Sequence, residues 1–210
     1  MARLSRKENR ELTRRRLRDA AKSEFLKNGV ATASIDRIAE SAGYSRGAFY
    51  SNYTNKNELA LELLSETIDK SISQATTLFS PATPAEDVMR GLEAEFELVL
   101  SESLWWMLTS ELRLEAERDR DFATRYFEAE AVVTERLNAM VGELARYAEC
   151  ADSVPIDYAV FVISNFTRGV PLGDSSAPVP GGSPGRVLVN LLYDLLGRPV
   201  KLGTWKNINQ

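Results

Sequence analysis

Apolar residues recur every three to four positions along most of this chain, and no segment shows the strict alternation of a half-buried strand. Leu17, Ala20, Ala21 and Phe25 form a first stripe, and Asn28-Gly29 predicts its end, since glycine tolerates the left-handed backbone of a helix stop. Ile35, Ile38, Ala39 and Ala42 repeat the spacing over a short second helix, with Ser34 placed to cap it. Gly43 interrupts. Ser45 can cap a third short helix, whose Phe49 and Tyr53 stand four apart on its inner face. Asn55 and Glu58 make a capping-box start for a longer helix carrying Leu61, Leu64, Ile68, Ile72, Ala75 and Phe79. Thr83-Pro84-Ala85-Glu86 reads as another start, followed by Val88, Leu92, Phe96 and Val99. Further helices are predicted at about 103–117, 120–149, 156–170 and from Pro184 onward, with a Pro/Gly/Ser-rich loop over 171–184. The pattern predicts an all-α chain: three short helices over residues 1–60, then a larger helical body over 61–210.

Charge divides the chain at the same place. The net charge is −4, but residues 1–60 hold thirteen Lys/Arg against seven Asp/Glu, and the remainder holds thirteen against twenty-three. A +6 head on a −10 body points to a polyanion-binding module joined to a part that avoids polyanions. Arg3, Arg6, Lys7, Arg10, Arg14, Arg15, Arg16 and Arg18 form a basic run that suits a DNA-tracking arm. Histidine is absent, which excludes Ser-His-Asp and Cys-His nucleophiles and His-ligated zinc. The one cysteine, Cys150, cannot form an intramolecular disulfide and reads as an inert thiol. No apolar run approaches the roughly 20 residues that span a bilayer, and no secretory signal opens the chain. These features lead us to expect a cytoplasmic protein that is not an enzyme, needs no cofactor or metal and has no membrane partner.

Ser34–Leu59 is the segment with specific chemistry. It reads as helix, glycine turn, helix, the layout of a DNA-reading helix-turn-helix whose second helix lies in the major groove. With Phe49 and Tyr53 facing inward, Gly47 and Ser51 fall on the opposite side, flanked by Ala48 and Tyr50. Small residues there let the backbone approach base edges. Ala48 could touch a thymine methyl, and Arg46 a guanine O6/N7 pair. The spaced residues Ile38, Ala39, Ala42, Gly43, Ser45, Gly47, Tyr50, Tyr53, Lys56 and Leu59 resemble the DNA-binding pattern of the TetR family. The preceding Thr13, Arg14, Leu17, Ala20, Ala21, Phe25 and Gly29 fit it too. The resemblance covers about residues 10–60. It implies phosphate contacts at Tyr50, Lys56, Ser34 and Ser45, and base readers at Arg46, Gly47 and Ala48, with Tyr44 and Asp36 as further candidates. Asn52 stands where many members have histidine, and can still donate to a phosphate. Tyr44 replaces a commoner small aliphatic residue, leaving base contact and packing both open.

The body carries no family-wide motif. Trp105, Trp106, Phe122, Tyr126 and Met140 concentrate large side chains on the middle helices, and suggest an apolar pocket. Phe161 and Phe166, with Leu188, Leu191, Leu192 and Leu195, make the last two helices too apolar for a monomer's surface, and suggest a four-helix dimer interface. The resemblance implies a homodimer that represses transcription at a palindromic double-stranded operator and is released by a small-molecule effector. Its rivals are an activator, a ligand-independent regulator, or a helical protein or enzyme retaining the motif as scaffold.

Overall fold

The computed structural model describes residues 5–149, 155–169 and 182–196; Cys150 and most of the predicted 171–184 loop lie outside them. Among the described residues every regular element is a helix: α1 Arg6–Thr32, α2 Ile35–Ser41, α3 Arg46–Tyr50, α4 Lys56–Thr76, α5 Ala85–Leu100, α6 Ser103–Arg118, α7 Arg120–Tyr147, α8 Ile156–Gly169 and α9 Pro184–Leu195. No described helix is long and apolar enough to cross a membrane.

The helix ends follow the side chains that can satisfy them. The hydroxyls of Ser34, Ser45 and Ser183 accept from the third amide of α2, α3 and α9. Asn55 Oδ1 accepts from Glu58 N at 2.9 Å, while the Glu58 carboxylate reaches back to the amide and hydroxyl of Thr54. Two starts differ from expectation. Ser5 and Glu8 form a complete capping box on α1 that the apolar pattern did not mark, because no hydrophobic stripe begins there. Thr83 does not cap α5; its carbonyl accepts from Tyr147 Oη at 2.7 Å, and Pro84 takes the cap position without a side-chain bond.

The chain folds into two compact units. One comprises Met1–Glu66 with Ser103–Phe127, the other Thr67–Glu102 with Glu128–Gln210. In the first, Leu17, Ala21, Phe25, Ile38, Ala39, Phe49, Tyr53 and Leu59 are buried, and Leu108 and Leu112 of α6 are buried with them. In the second, α5 and α9 pack closely. A Cβ at Gly185 would lie 2.6 Å from the Glu93 carbonyl oxygen, so only glycine allows that approach. Gly185 N donates to Glu97 Oε2 at 2.8 Å and Arg186 Nε to Glu93 Oε1 at 3.1 Å.

Gly29 stops the regular helix as expected, yet one more turn follows it. Its backbone (φ 72°, ψ 165°) is a conformation essentially confined to glycine, and it kinks α1 one turn before its end. Glu111 of α6 reaches the turn after the kink: its Oε2 accepts from Ala31 N at 2.9 Å. Replacing Gly29 by alanine should therefore destabilise the protein by about 1–3 kcal/mol from backbone strain. A Cβ there would also meet Glu111 Oε1 at 2.6 Å, but that carboxylate ends a flexible side chain and can move. Urea unfolding of Gly29→Ala should show the same loss in a Glu111→Ala background; a loss that vanishes there would assign the effect to the contact instead.

Candidate nucleic-acid interface

The α1–α2 junction and the start of α4 hold the two short helices in place. Glu24 Oε1 accepts from Ser34 N at 3.0 Å and from Arg37 Nε at 2.9 Å, and the Arg37 bond is the main cause that lowers the Glu24 pKa below the usual carboxylate value. Lys56 Nζ donates to the carbonyls of Ala31 and Ala33, a cation on the exposed C-terminal carbonyls of the last α1 turn. Asn57 Nδ2 donates to Glu115 Oε1 at 3.0 Å. Residues of α1, α4 and α6 thus converge on the last turn of α1 and the Ala33-Ser34 connection that follows it.

Phe49 and Tyr53 anchor α3 as expected, at 0% and 1% exposure. Their rings lie 5.7 Å apart. Burial, and then Glu62, pushes the Tyr53 phenol up to about 12, so the ring stays neutral beneath the Arg14 guanidinium 4.4 Å from its centroid. Behind this face the basic run divides. Arg14 pairs with Glu62 and donates to the Asn52 carbonyl, while Arg18 pairs with Glu62 and with Glu66 at 3.0 Å. Arg6, Lys7, Arg10, Arg15 and Arg16 remain exposed. Only part of the run is a solvated basic surface; two of its arginines bind α1 to α4.

The outward face of α3 presents Arg46, Gly47 and Tyr50 exposed, with Ala48 and Tyr44 half-buried beside them. Arg46 Nη1 donates to Asp36 Oδ2 at 3.0 Å, and its Nη2 lies 3.4 Å from Tyr50 Oη. The Ser34 and Ser45 oxygens cap their helices, which leaves each hydroxyl proton to donate outward.

Two expected phosphate donors are placed differently. Asn52 turns its amide inward, with Nδ2 donating to Ala48 O at 2.8 Å and Oδ1 buried, because the chain must turn back there toward Tyr53. Lys56 gives two of its three ammonium donors to the junction carbonyls described above. The capping role of Lys56 has a sequence signal in hindsight: a lysine at the first position of a helix opposes the helix dipole, and so needs another partner.

In the body, Trp105, Trp106, Phe122, Tyr126 and Met140 are all buried. The Phe122 and Tyr126 ring centroids lie 6.3 Å apart with the planes tilted by 40°, and Trp105 Nε1 is buried with no hydrogen-bond partner. A cavity of about 20 Å³ lies elsewhere, among Val88, Met89, Leu92, Leu144, Tyr147 and Leu192, and has room for a water molecule only. Of the residues expected at a dimer interface, Leu188 and Leu192 are instead core, each 1% exposed, because α9 turns that face onto α5. Phe161 is 65% exposed on α8 with Tyr158 beside it at 57%. Phe166, Leu191 and Leu195 are half-buried.

Residues 17–63 match the family model described as bacterial regulatory proteins, tetR family. The probable HTH-type transcriptional regulator ArpR of Pseudomonas putida is 35% identical over 94 residues, which is 45% of this chain and 42% of that protein. The HTH-type transcriptional repressor SCO4008 of Streptomyces coelicolor is 32% identical over 123 residues, 55% of this chain and 62% of that one. The matched segments thus span roughly half the length of these relatives. Among solved structures, the fatty acid degradation regulator FadR of Bacillus halodurans has the same fold at 17% identity, with a TM-score of 0.64 over 90% of this chain and 96% of that one.

Proposed function

Because this chain belongs to the tetR family of bacterial regulatory proteins, we propose that it regulates transcription by reading duplex DNA with α3. The observation that carries this reading is the face of α3 itself: an exposed Arg46, Gly47 and Tyr50 on a helix fixed from behind by two buried aromatics. Gly47 lets the helix backbone approach the groove floor, and Arg46 supplies the planar donor fork that suits guanine O6 and N7. Tyr50, Ser34 and Ser45 donate to phosphates and set the register, while the exposed arginines of α1 add affinity without sequence. Lys56 serves the same end indirectly by holding the α1–α2 junction.

In this reading the protein acts in the cytoplasm as a homodimer, placing two α3 helices in successive major grooves of a palindromic operator about 34–36 Å apart. Tyr158, Phe161, Leu191 and Leu195 form its two-fold interface. Repression is relieved when a small apolar effector favours a state with the wrong helix separation, and DNA affinity falls by the effector's differential affinity for the two states. The buried, unpartnered indole N–H of Trp105 supports a polar anchor for such a molecule in the aromatic cluster.

Selection from a random duplex library should enrich an inverted repeat. Arg46→Ala should then relax preference at one base position per half-site, costing about 1–3 kcal/mol there. Tyr50→Phe should weaken all sequences about equally. Recovery of no sequence preference by the wild-type protein would overturn the DNA-reading assignment.

Replacing Tyr158 and Phe161 together by glutamate should give folded monomers with poor operator binding, because both side chains are exposed on the chain itself. An intact dimer in sedimentation would place the interface elsewhere.

An effector should change tryptophan fluorescence and bind less tightly when operator is present, by the same factor by which it weakens operator binding. A compound that binds equally well with and without operator is not the effector.

A further inference from the structure

Asp36 occupies the first turn of α2 and is exposed on the side that carries Arg46. A carboxylate there repels the phosphates that the surrounding arginines attract, so its presence needs a reason. Stability is a weak one. The Asp36–Arg46 pair has both side chains about 60% exposed (63% and 60%), and exposed pairs contribute little. Helix start is also served already, since the Ser34 hydroxyl caps α2.

Geometry gives a better reason. Both Asp36 oxygens face one terminal nitrogen of Arg46, at 3.0 and 3.3 Å. The other terminal nitrogen lies 3.4 Å from Tyr50 Oη, and the guanidinium carbon sits 5.6 Å from the Tyr50 ring centroid. An arginine has a long side chain with many rotamers, and a base contact must freeze it. Here a carboxylate from α2 and a phenol from the next turn of α3 hold the fork from two sides before any DNA arrives. Preorganisation of this kind lowers the cost of binding and penalises the sequences the fork cannot match.

We propose that Asp36 is a positioning residue for base reading: it does not read a base itself but aims the Arg46 guanidinium at one, which raises specificity at the expense of bulk affinity. This rests on the reading that Arg46 meets a base edge. The two are separable. The test is position-resolved selection from a random duplex library with full-length wild type, Asp36→Asn, Arg46→Ala and the double variant, followed by titration of the selected site against its single-base substitutions.

Arg46→Ala should lose roughly 5- to 150-fold discrimination at one base pair per half-site. Asp36→Asn should lose discrimination at that same base pair, by a smaller factor, and should bind random duplex more tightly at low salt. The double variant should match Arg46→Ala alone, because a positioning residue has nothing left to position. If Arg46→Ala weakens all sequences equally, the base-reading assignment of Arg46 falls, and this proposal with it. If Arg46→Ala relaxes one position while Asp36→Asn leaves the preference unchanged, only the positioning role falls. Relaxation by Asp36→Asn at a different base pair would make Asp36 a reader in its own right, and additive losses in the double variant would equally overturn the proposal. A merely structural role in α2 would lower affinity for all sequences without moving the preference.

Discussion

A five-residue helix has no stability of its own: forming its first turn fixes several backbone angles for a single hydrogen bond. The outward face of α3 therefore exists only because its inward face is buried. Phe49 and Tyr53 are closed off from solvent, as are Leu17, Ala21, Phe25 and Ile38 of the same unit, and burying a side chain of that size contributes about 1.5–3 kcal/mol. The whole outward face of α3 hangs from that burial. The small residues on the outer face can be small because the helix needs no packing contribution from them.

Burial alone does not fix orientation, and here polar contacts take over. The α1–α2 connection is gripped by Glu24 from α1, Lys56 from α4 and Glu111 from α6, each bonded to backbone atoms of the connection. These contacts satisfy backbone groups at and just before the end of α1. They also place the first compact unit's α6 in direct bond with the segment that leads into α2, so a shift of α6 must either break or carry that connection. The basic run shows the same economy. Arg14 and Arg18 serve as internal ties through Glu62, while their neighbours along α1 face solvent. One turn of a helix separates an arginine that binds its own protein from one that is available to a polyanion.

In the second unit the governing contact is backbone against backbone. Gly185 brings α9 against α5 at a distance no side chain would permit, and this directs Leu188, Val189 and Leu192 into the chain's own core. Tyr158 and Phe161 of α8 stay exposed, as do Leu98 of α5 and Val132 of α7. Tyr158 and Phe161 stand one helical turn apart, each more than half exposed.

Helix count, order and most boundaries were legible in the sequence, because periodicity, caps and glycine stops are local properties that a helix reads within one or two turns. The inward set of the first unit was legible for the same reason: Leu17, Phe25, Ile38, Phe49 and Tyr53 follow the 3.6-residue period. The face of α3 followed by subtraction, once its buried side was known. Only tertiary structure decided the fate of the polar residues. Lys56, Arg14 and Glu111 find partners 25 to 80 positions away, and no periodicity encodes which backbone group or carboxylate will stand opposite a flexible charged side chain. Leu188 and Leu192 of α9 are the apolar counterpart. Their spacing announced a buried stripe, but a hydrophobic face is equally satisfied by its own chain or by a second copy, and the choice was made by a glycine that let α5 come close enough to cover it.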